Sequence, residues 1–256
     1  MPMSSGNATG TNTLSRAPAA EHKSLLAPTL FTLFGLALLL SLGTWQVKRL
    51  AWKEGLIAER AAAVAAAPIE LPRTLDEARG LEFHPVRAEG TFRHDRELYL
   101  HAMTANGAQG YHVVTPLVLA RGGTLMVDRG FVPEDRKNPA TRAQGNQPGP
   151  QQVVGLLRLP LSEKSSWFVP DNAPARGEWF TLDPSAMAHA AGVTDALPFT
   201  IDADATPNPG GYPVGGQTPL DLPNNPLQYA ITWYLLAVAL VVVYLRLVLR
   251  RGGRRA

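Results

Sequence analysis

Four of the six histidines, His84, His94, His101 and His112, fall within 29 residues, close enough to raise the question of a metal site. Their spacing matches no ligand motif, and the chain has no cysteine to complete a set. Alternation along extended strands would also send several of them to different faces. Exposed or structural histidines are the plainer reading. Asp128-Arg129-Gly130 stands where a strand is expected to end, and could hold a charged pair at the mouth of a site. A membrane-tethered extracytoplasmic enzyme with its site near Asp128 and Arg129 is therefore one reading; a surface ion pair before a turn is the other. No G-x-S-x-G, Walker A, dinucleotide fingerprint or H-E-x-x-H is present, so the common enzyme motifs are missing.

A second set of residues sits beside apolar segments. Trp45, Arg49 and Trp52 recur at intervals of four and three, which puts them on one helical face. Tyr229, Trp233, Leu236 and Leu240 form a comparable stripe near the other end of the chain. Aromatic rings and an arginine at one level could line a slot for a flat amphiphile or a partner helix, with Arg49 answering carboxylates. The bland alternative is an interfacial aromatic belt with a snorkelling arginine.

The elements carrying this second set are two long apolar runs, 25–47 and 227–249. At 1.5 Å per residue each makes a helix of roughly 30 Å or a little more, the hydrocarbon thickness of a bilayer. Outside residues 54–224 lie ten of the 24 Lys/Arg and one of the 21 acidic residues. The ends therefore carry a formal +9 and the middle −6, within an overall +3. Short basic flanks stay in the cytoplasm and long loops cross regardless of charge, which predicts both termini inside and the middle outside. Lys48, Arg49 and Lys53 oppose that orientation, and the tail Arg246 to Arg255 outweighs them. Basic residues clustered at membrane ends exclude a nucleic-acid groove as the source of the high pI. The first run is too long for a cleaved secretory signal, and the leading 24 residues lack the Arg-rich amphipathic character of an organellar transit peptide. A bacterial plasma (inner) membrane is the expected location, with the central domain periplasmic.

A cysteine-free domain on the oxidising side has no disulfide framework and must rely on its apolar core. Thiol redox chemistry and thiolate copper transfer are excluded with it. The expected organisation is a disordered cytoplasmic tail over 1–24, a first span over 25–47 and a helical stalk over 48–68. A mainly antiparallel β (α+β) extracytoplasmic domain follows over 69–205. A Pro/Gly-rich linker over 206–226, a second span over 227–249 and a basic cytoplasmic tail over 250–256 complete the chain. Alternating residues predict strands at 97–101, 111–119, 124–128, 152–159 and near 199–202, with Arg121-Gly122-Gly123 as a hairpin connection. Residues 138–150 read as loop. Asp183, Pro184 and Gly192 bound a short helix, and Asn225, Pro226 and Gln228 form a start signature for the last one.

Several blocks in order resemble the Surfeit locus cytochrome c oxidase assembly family, which includes the yeast Shy proteins. They are Leu42-Gly43-Thr44-Trp45-Gln46-Val47-Lys48-Arg49, Pro85-Val86-Arg87 with Gly90-Thr91-Phe92, and Gly110-Tyr111-His112 with Thr115-Pro116-Leu117. Val127 to Pro133, Gly155-Leu156-Leu157-Arg158, and Leu227-Gln228-Tyr229-Ala230-Ile231-Thr232-Trp233 continue the series. Gly43, Trp45, Gln46, Arg49, Gly90, Arg129, Gly130, Asn225, Gln228, Tyr229 and Trp233 are the motif positions, over roughly residues 30–245. The resemblance implies a non-enzymatic membrane factor for haem-copper oxidases. Its implied partners are the oxidase catalytic subunit, other assembly factors and the bilayer, and haem a is a possible cofactor. Two residues depart from the family pattern. Asp128 stands where asparagine is usual, and Pro226 replaces the histidine proposed as haem ligand. Proline's ring nitrogen is a tertiary amide with no lone pair for iron, so the architecture carries over and that ligand does not. A purely structural partner of the oxidase is the further alternative.

Overall fold

The computed structural model describes residues 24–104, 106–160, 168–220 and 226–252. In chain order the elements are α1 (Leu26–Val64), β1 (Ile69–Glu70), α2 (Leu75–Ala78), β2 (Pro85–Phe92), β3 (Leu98–Met103) and β4 (Gln109–Leu119). They are followed by β5 (Thr124–Pro133), β6 (Pro150–Arg158), α3 (Pro184–Ala190), β7 (Ala196–Ala203) and α4 (Pro226–Gly252). Two compact units result, one of residues 1–50 with 225–256, the other of residues 51–224. Most of the expected 1–24 tail, Asn225 of the helix-start signature and the end of the basic tail lie outside the described residues.

In the helical unit, α1 and α4 are both long and apolar enough to cross a membrane. With the β-rich unit between them, this is the architecture of a two-span membrane protein. Along α1, Thr29, Leu36, Gly43 and Leu50 recur every seven residues and are buried or half-buried. On α4 the same interval joins Ala230, Ala237 and Tyr244, with Ala230 and Ala237 almost fully buried. A seven-residue repeat is the geometry of two helices packed along one seam, and small residues let their backbones approach. The pairing is antiparallel: the Thr29 and Tyr244 hydroxyls lie 2.6 Å apart, and those of Thr44 and Tyr234 3.3 Å. Gly43 is buried under the Tyr234 ring, where a Cβ would stand 2.7 Å from Cε1. The family-motif glycine is thus a packing residue. α1 runs without interruption through the boundary expected at 47 and frays after Val64, four residues before Pro68.

The β unit is a closed barrel. Its sheet order is β1-β2-β6-β7-β5-β4-β3, and β4 returns to β2 through Gly90↔Leu119, Thr91↔Val118 and Phe92↔Leu117. Five strands, β2, β6, β7, β5 and β4, therefore enclose one core of Val86, Ala88, Phe92, Leu117, Leu125, Val127, Leu157, Phe199 and Ile201. Most pairings are antiparallel, while β5–β7 and β1–β2 are parallel. Pro116 sits inside β4 where that strand changes partner from β3 (Leu98↔Val114) to β2 (Phe92↔Leu117). A missing N–H there interrupts no ladder on that edge. Outside the barrel, α3 is capped by the Asp183 carboxylate on Ala186 N and packs Met187, Ala188 and Ala191 with Trp179 against Val114 and Met126.

Two expectations need correction. β5 does not end at Asp128 but continues to Pro133, so Asp128-Arg129-Gly130 is mid-strand. Residues 206–220, expected as part of a linker, are built into the barrel's outside. Val214 exchanges backbone hydrogen bonds with Phe131, Asn208 Nδ2 donates to Pro213 O, and Tyr212 packs on Tyr111, Val113 and Val132. Gly130 makes this strap possible: at φ 111° it lies directly under the Val214 carbonyl, where any side chain would collide. Composition marked the segment as irregular, and irregular backbone can still be fixed by what it covers.

Candidate functional site

The alternation of β5 sends its charged residues to opposite sides. Leu125 and Val127 face the barrel core, and Arg129 continues that inward row, its guanidinium carbon 4.9 Å from the Phe92 ring centre. Met126 and Asp128 face outward. Asp128 and Arg129 therefore cannot act as one acid–base pair, and they are not a surface ion pair. Each is buried with partners of its own.

Arg129 closes one mouth of the barrel. Its Nη1 lies 3.3 Å from Glu97 Oε1 and 3.1 Å from Asn146 Oδ1, and its Nη2 donates to the Gly145 carbonyl. Arg142 grips the other side of the same carboxylate, Nη2 to Oε2 at 2.6 Å. Arg142 also donates from Nε to the Arg136 carbonyl and from Nη1 to Asn146. Side-chain exposure is 4% for Arg129, 2% for Glu97 and 1% for Arg142, so the triad is out of water. His94 completes it, Nδ1 3.3 Å from Arg129 Nη1 and 3.6 Å from Glu97 Oε1, with its Nε2–H donating to Gln147 O. Burial alone would push the Glu97 carboxyl up. The His94 ring against that carboxyl and the hydrogen bond from Arg142, with the charges of both arginines, overcome burial and hold Glu97 at about 2. Burial pushes Arg129 down to about 10, against the pull of Glu97. Arg142, Gly145 and Asn146 all come from the stretch expected as loop, which forms a 3-10 turn over Pro139–Gly145.

The outward set is a second network. His112 Nδ1 stands 2.6 Å from Asp128 Oδ2, and Asp128 Oδ1 accepts from Gly130 N. Asp202, opposite Asp128 on β7, accepts from Arg158 Nη1 at 2.7 Å and from the Thr218 hydroxyl at 3.0 Å. Burial and then the Asp128 charge raise the Asp202 pKa, with Arg158 and Thr218 opposing. Burial acts to lower His112, but the hydrogen bond and charge of Asp128, aided by Asp202, raise it above the usual imidazole value. A group raised on folding stabilises fully below its unfolded pKa of about 6.5, and loses that contribution as pH rises through the folded value. Asp128→Asn is expected to bring the His112 midpoint down, read from its ring resonances in an NMR titration.

The other histidines fall elsewhere. His101 stacks on Phe180 with ring centres 4.8 Å apart, and His84 is half-buried. Among the described residues no three His, Cys, Asp or Glu are grouped to hold a metal ion. In the helical unit, Arg49 lies over Trp45, 5.3 Å from the ring centre. Trp45 and Tyr229 are both more than half exposed, while Gly43 and Ala230 beside them face the seam. Among the described residues, ring contacts within Trp45, Arg49, Tyr229 and Trp233 are confined to the Arg49–Trp45 pair. The stripe Tyr229, Trp233, Leu236 and Leu240 is divided: Tyr229 and Leu236 are exposed, Trp233 is half-buried, and Leu240 packs on Gly35 in the seam.

Comparison with known proteins bears on this architecture as a whole. The model of the SURF1 family matches residues 33–238, from within the first span through the barrel into the second. The chain belongs to the SURF1 family. It is 41% identical over 250 residues to "Surfeit locus protein 1" of Rattus norvegicus, covering 92% of this chain and 79% of that protein. To "Surfeit locus protein 1" of Homo sapiens it is 39% identical over 225 residues, 82% of this chain and 73% of that one. To a "SURF1-like protein" of Drosophila melanogaster it is 32% identical over 252 residues, 91% and 82% of the two chains. Among the motif positions of this SURF1 family member, Gly43, Arg129 and Gly130 are held by packing and hydrogen bonds, whereas Trp45, Arg49 and Tyr229 are presented outward.

Proposed function

We propose that this chain is a two-span assembly factor for a haem-copper cytochrome c oxidase, working by contact and not by turnover. The observation that carries the reading is family membership along 33–238, a stretch that holds the whole barrel, most of the first apolar helix and the start of the second. The opposed placement of Asp128 and Arg129 removes the sequence feature that favoured an enzyme. In the proposed topology the termini are cytoplasmic and the barrel is periplasmic at a bacterial inner membrane, supported by the +9 and −6 division of charge. The outward face of Trp45 and Arg49, next to Thr44 and Lys48, is the surface offered to the oxidase catalytic subunit, and other assembly factors act beside it.

Haem a insertion is the finer form of this role, and the described residues of the helical unit offer iron tyrosine as the one axial ligand of the usual kinds. Its described residues, 24–50 and 226–252, contain no His, Cys or Met. α4 begins at Pro226, whose buried ring offers iron nothing. No step through haem is derived, and stabilisation of the core subunit during biogenesis is the favoured form. Deleting the gene is expected to lower assembled oxidase activity several-fold with subunit synthesis intact, and unchanged activity would refute the role. Protein purified from a haem-producing host is expected to lack a Soret band. A stoichiometric band would instead restore the delivery role.

A further inference from the structure

The barrel mouth carries more positive charge than it uses. Arg129 and Arg142 share the single carboxylate of Glu97, and Lys137 Nζ lies 4.0 Å from the Tyr111 ring centre nearby. All three donor nitrogens of Arg142 are taken up by the chain. Arg129 is different: its Nη1 and Nη2 have partners, but its Nε–H has no acceptor among the described residues. Arg129 also lines a cleft of about 440 Å³ between the start of β6 and the segment after β7. Phe92, Gln147, Gln151, Gln152 and Asn208 line it; the Gln151 amide gives one N–H to the Gln147 carbonyl at 2.7 Å and the Asn208 amide one to the Pro213 carbonyl at 2.6 Å, which leaves each a second N–H. One acid, Asp204, stands at the lip, with its Oδ1 turned to the backbone N–H of Thr206 at 3.0 Å.

We propose that this cleft binds a small carboxylate anion, received by the open Nε side of Arg129 and oriented by the amides of Gln147 and Gln151. A carboxylate accepts parallel N–H donors in the plane of a guanidinium and has lone pairs left for amide donors. An anion there supplies the charge that a two-arginine, one-glutamate cluster lacks, in a setting where salt screens little. The downward pull of burial on Arg129 is the same deficit seen from the arginine's side. Phe92 closes the apolar wall beneath it. The inference rests on the barrel alone and does not depend on the oxidase role.

The test uses the full chain purified in detergent and titrated with succinate at constant ionic strength, with chloride and inorganic phosphate as comparison probes. The expected result is a saturable shift of the Arg129 Nε–H resonance and a rise in Tm with succinate, at least tenfold weaker with phosphate and absent with chloride. Gln147 is exposed and outside the buried triad. Gln147→Glu places a negative charge in the cleft without touching the core, and is expected to weaken succinate binding at least tenfold with the fold unchanged. No saturable shift in the wild type, equal response to phosphate, or unaltered binding by Gln147→Glu would each overturn the proposal.

Discussion

Glu97→Gln is expected to be among the most damaging single substitutions in the β unit, although it changes one atom and keeps the side-chain shape. Among the described residues Glu97 is the one acid paired with Arg129 and Arg142, and all three side chains are largely removed from water. Taking one partner from a buried ion network leaves guanidinium charges with no counter-ion and little solvent, at a cost of about 3–5 kcal/mol. A second route reaches the same size. The Glu97 carboxyl falls from 4.5 to about 2 on folding, which corresponds to roughly 3 kcal/mol of linked stability at neutral pH. Because the folded value is depressed, this stability is complete above about 4.5 and is lost as pH falls towards 2. Denaturant unfolding of the purified full chain should show wild type and Glu97→Gln well separated at pH 7 and converging near pH 2. A constant gap across that range would mean that the carboxylate charge is not what the arginines need.

The features readable in the sequence were those set by local repetition. Apolar runs of bilayer length declared α1 and α4, alternation declared β4 and β5, and the Asp183, Pro184 and Gly192 signals bounded α3 because caps act within a few residues. Barrel closure was not legible, since the β2–β4 pairing joins Gly90 to Leu119 through a choice of partner that alternation leaves open. The site was hidden for a related reason. Arg142 arrives from a stretch whose Pro, Asn and Gly content marks irregular backbone and says nothing about what that backbone covers. One clue was present: Arg129 occupies the inward position of the row Leu125, Val127, Arg129, where a charge demands a buried partner. Asp128 beside it drew attention as a pair, yet adjacent residues on a strand face opposite sides and seldom work together.

The same contrast separates the motif residues of the helical unit. Trp45 and Arg49 are conspicuous chemistry and face outward, whereas Gly43 has no side chain and decides whether the helices meet. In a membrane no hydrophobic force draws two apolar helices together, so close packing and a few interhelical hydrogen bonds carry the association. Gly43 permits both: Tyr234 lies against its Cα, and the Tyr234 hydroxyl stands 3.3 Å from that of Thr44.

Gly43→Leu is accordingly expected to part α1 from α4. Even a Cβ would be 2.7 Å from Tyr234 Cε1, and three further carbons have no room unless the ring is expelled. Expulsion breaks the Thr44–Tyr234 contact and widens the seam toward Gly35, which packs on Leu240, and toward Thr29, which meets Tyr244. Loss of packing over that length outweighs the roughly 0.5–1 kcal/mol that a helix interior gains when glycine gives way to a better helix former, while the helices themselves remain. Absence of native cysteine makes the outcome directly measurable. A cysteine pair placed at Gly35 and Leu240 replaces the leucine methyl that would crowd a Gly35 side chain, and should oxidise to a cross-link in isolated membranes. Adding Gly43→Leu is expected to lower the cross-linked fraction at least fivefold, while Gly43→Ala, which asks only for a small ring shift, lowers it less. Equal cross-linking in all three would show that the seam is not held at Gly43, and that its place in the family pattern answers to something other than the pairing of α1 with α4.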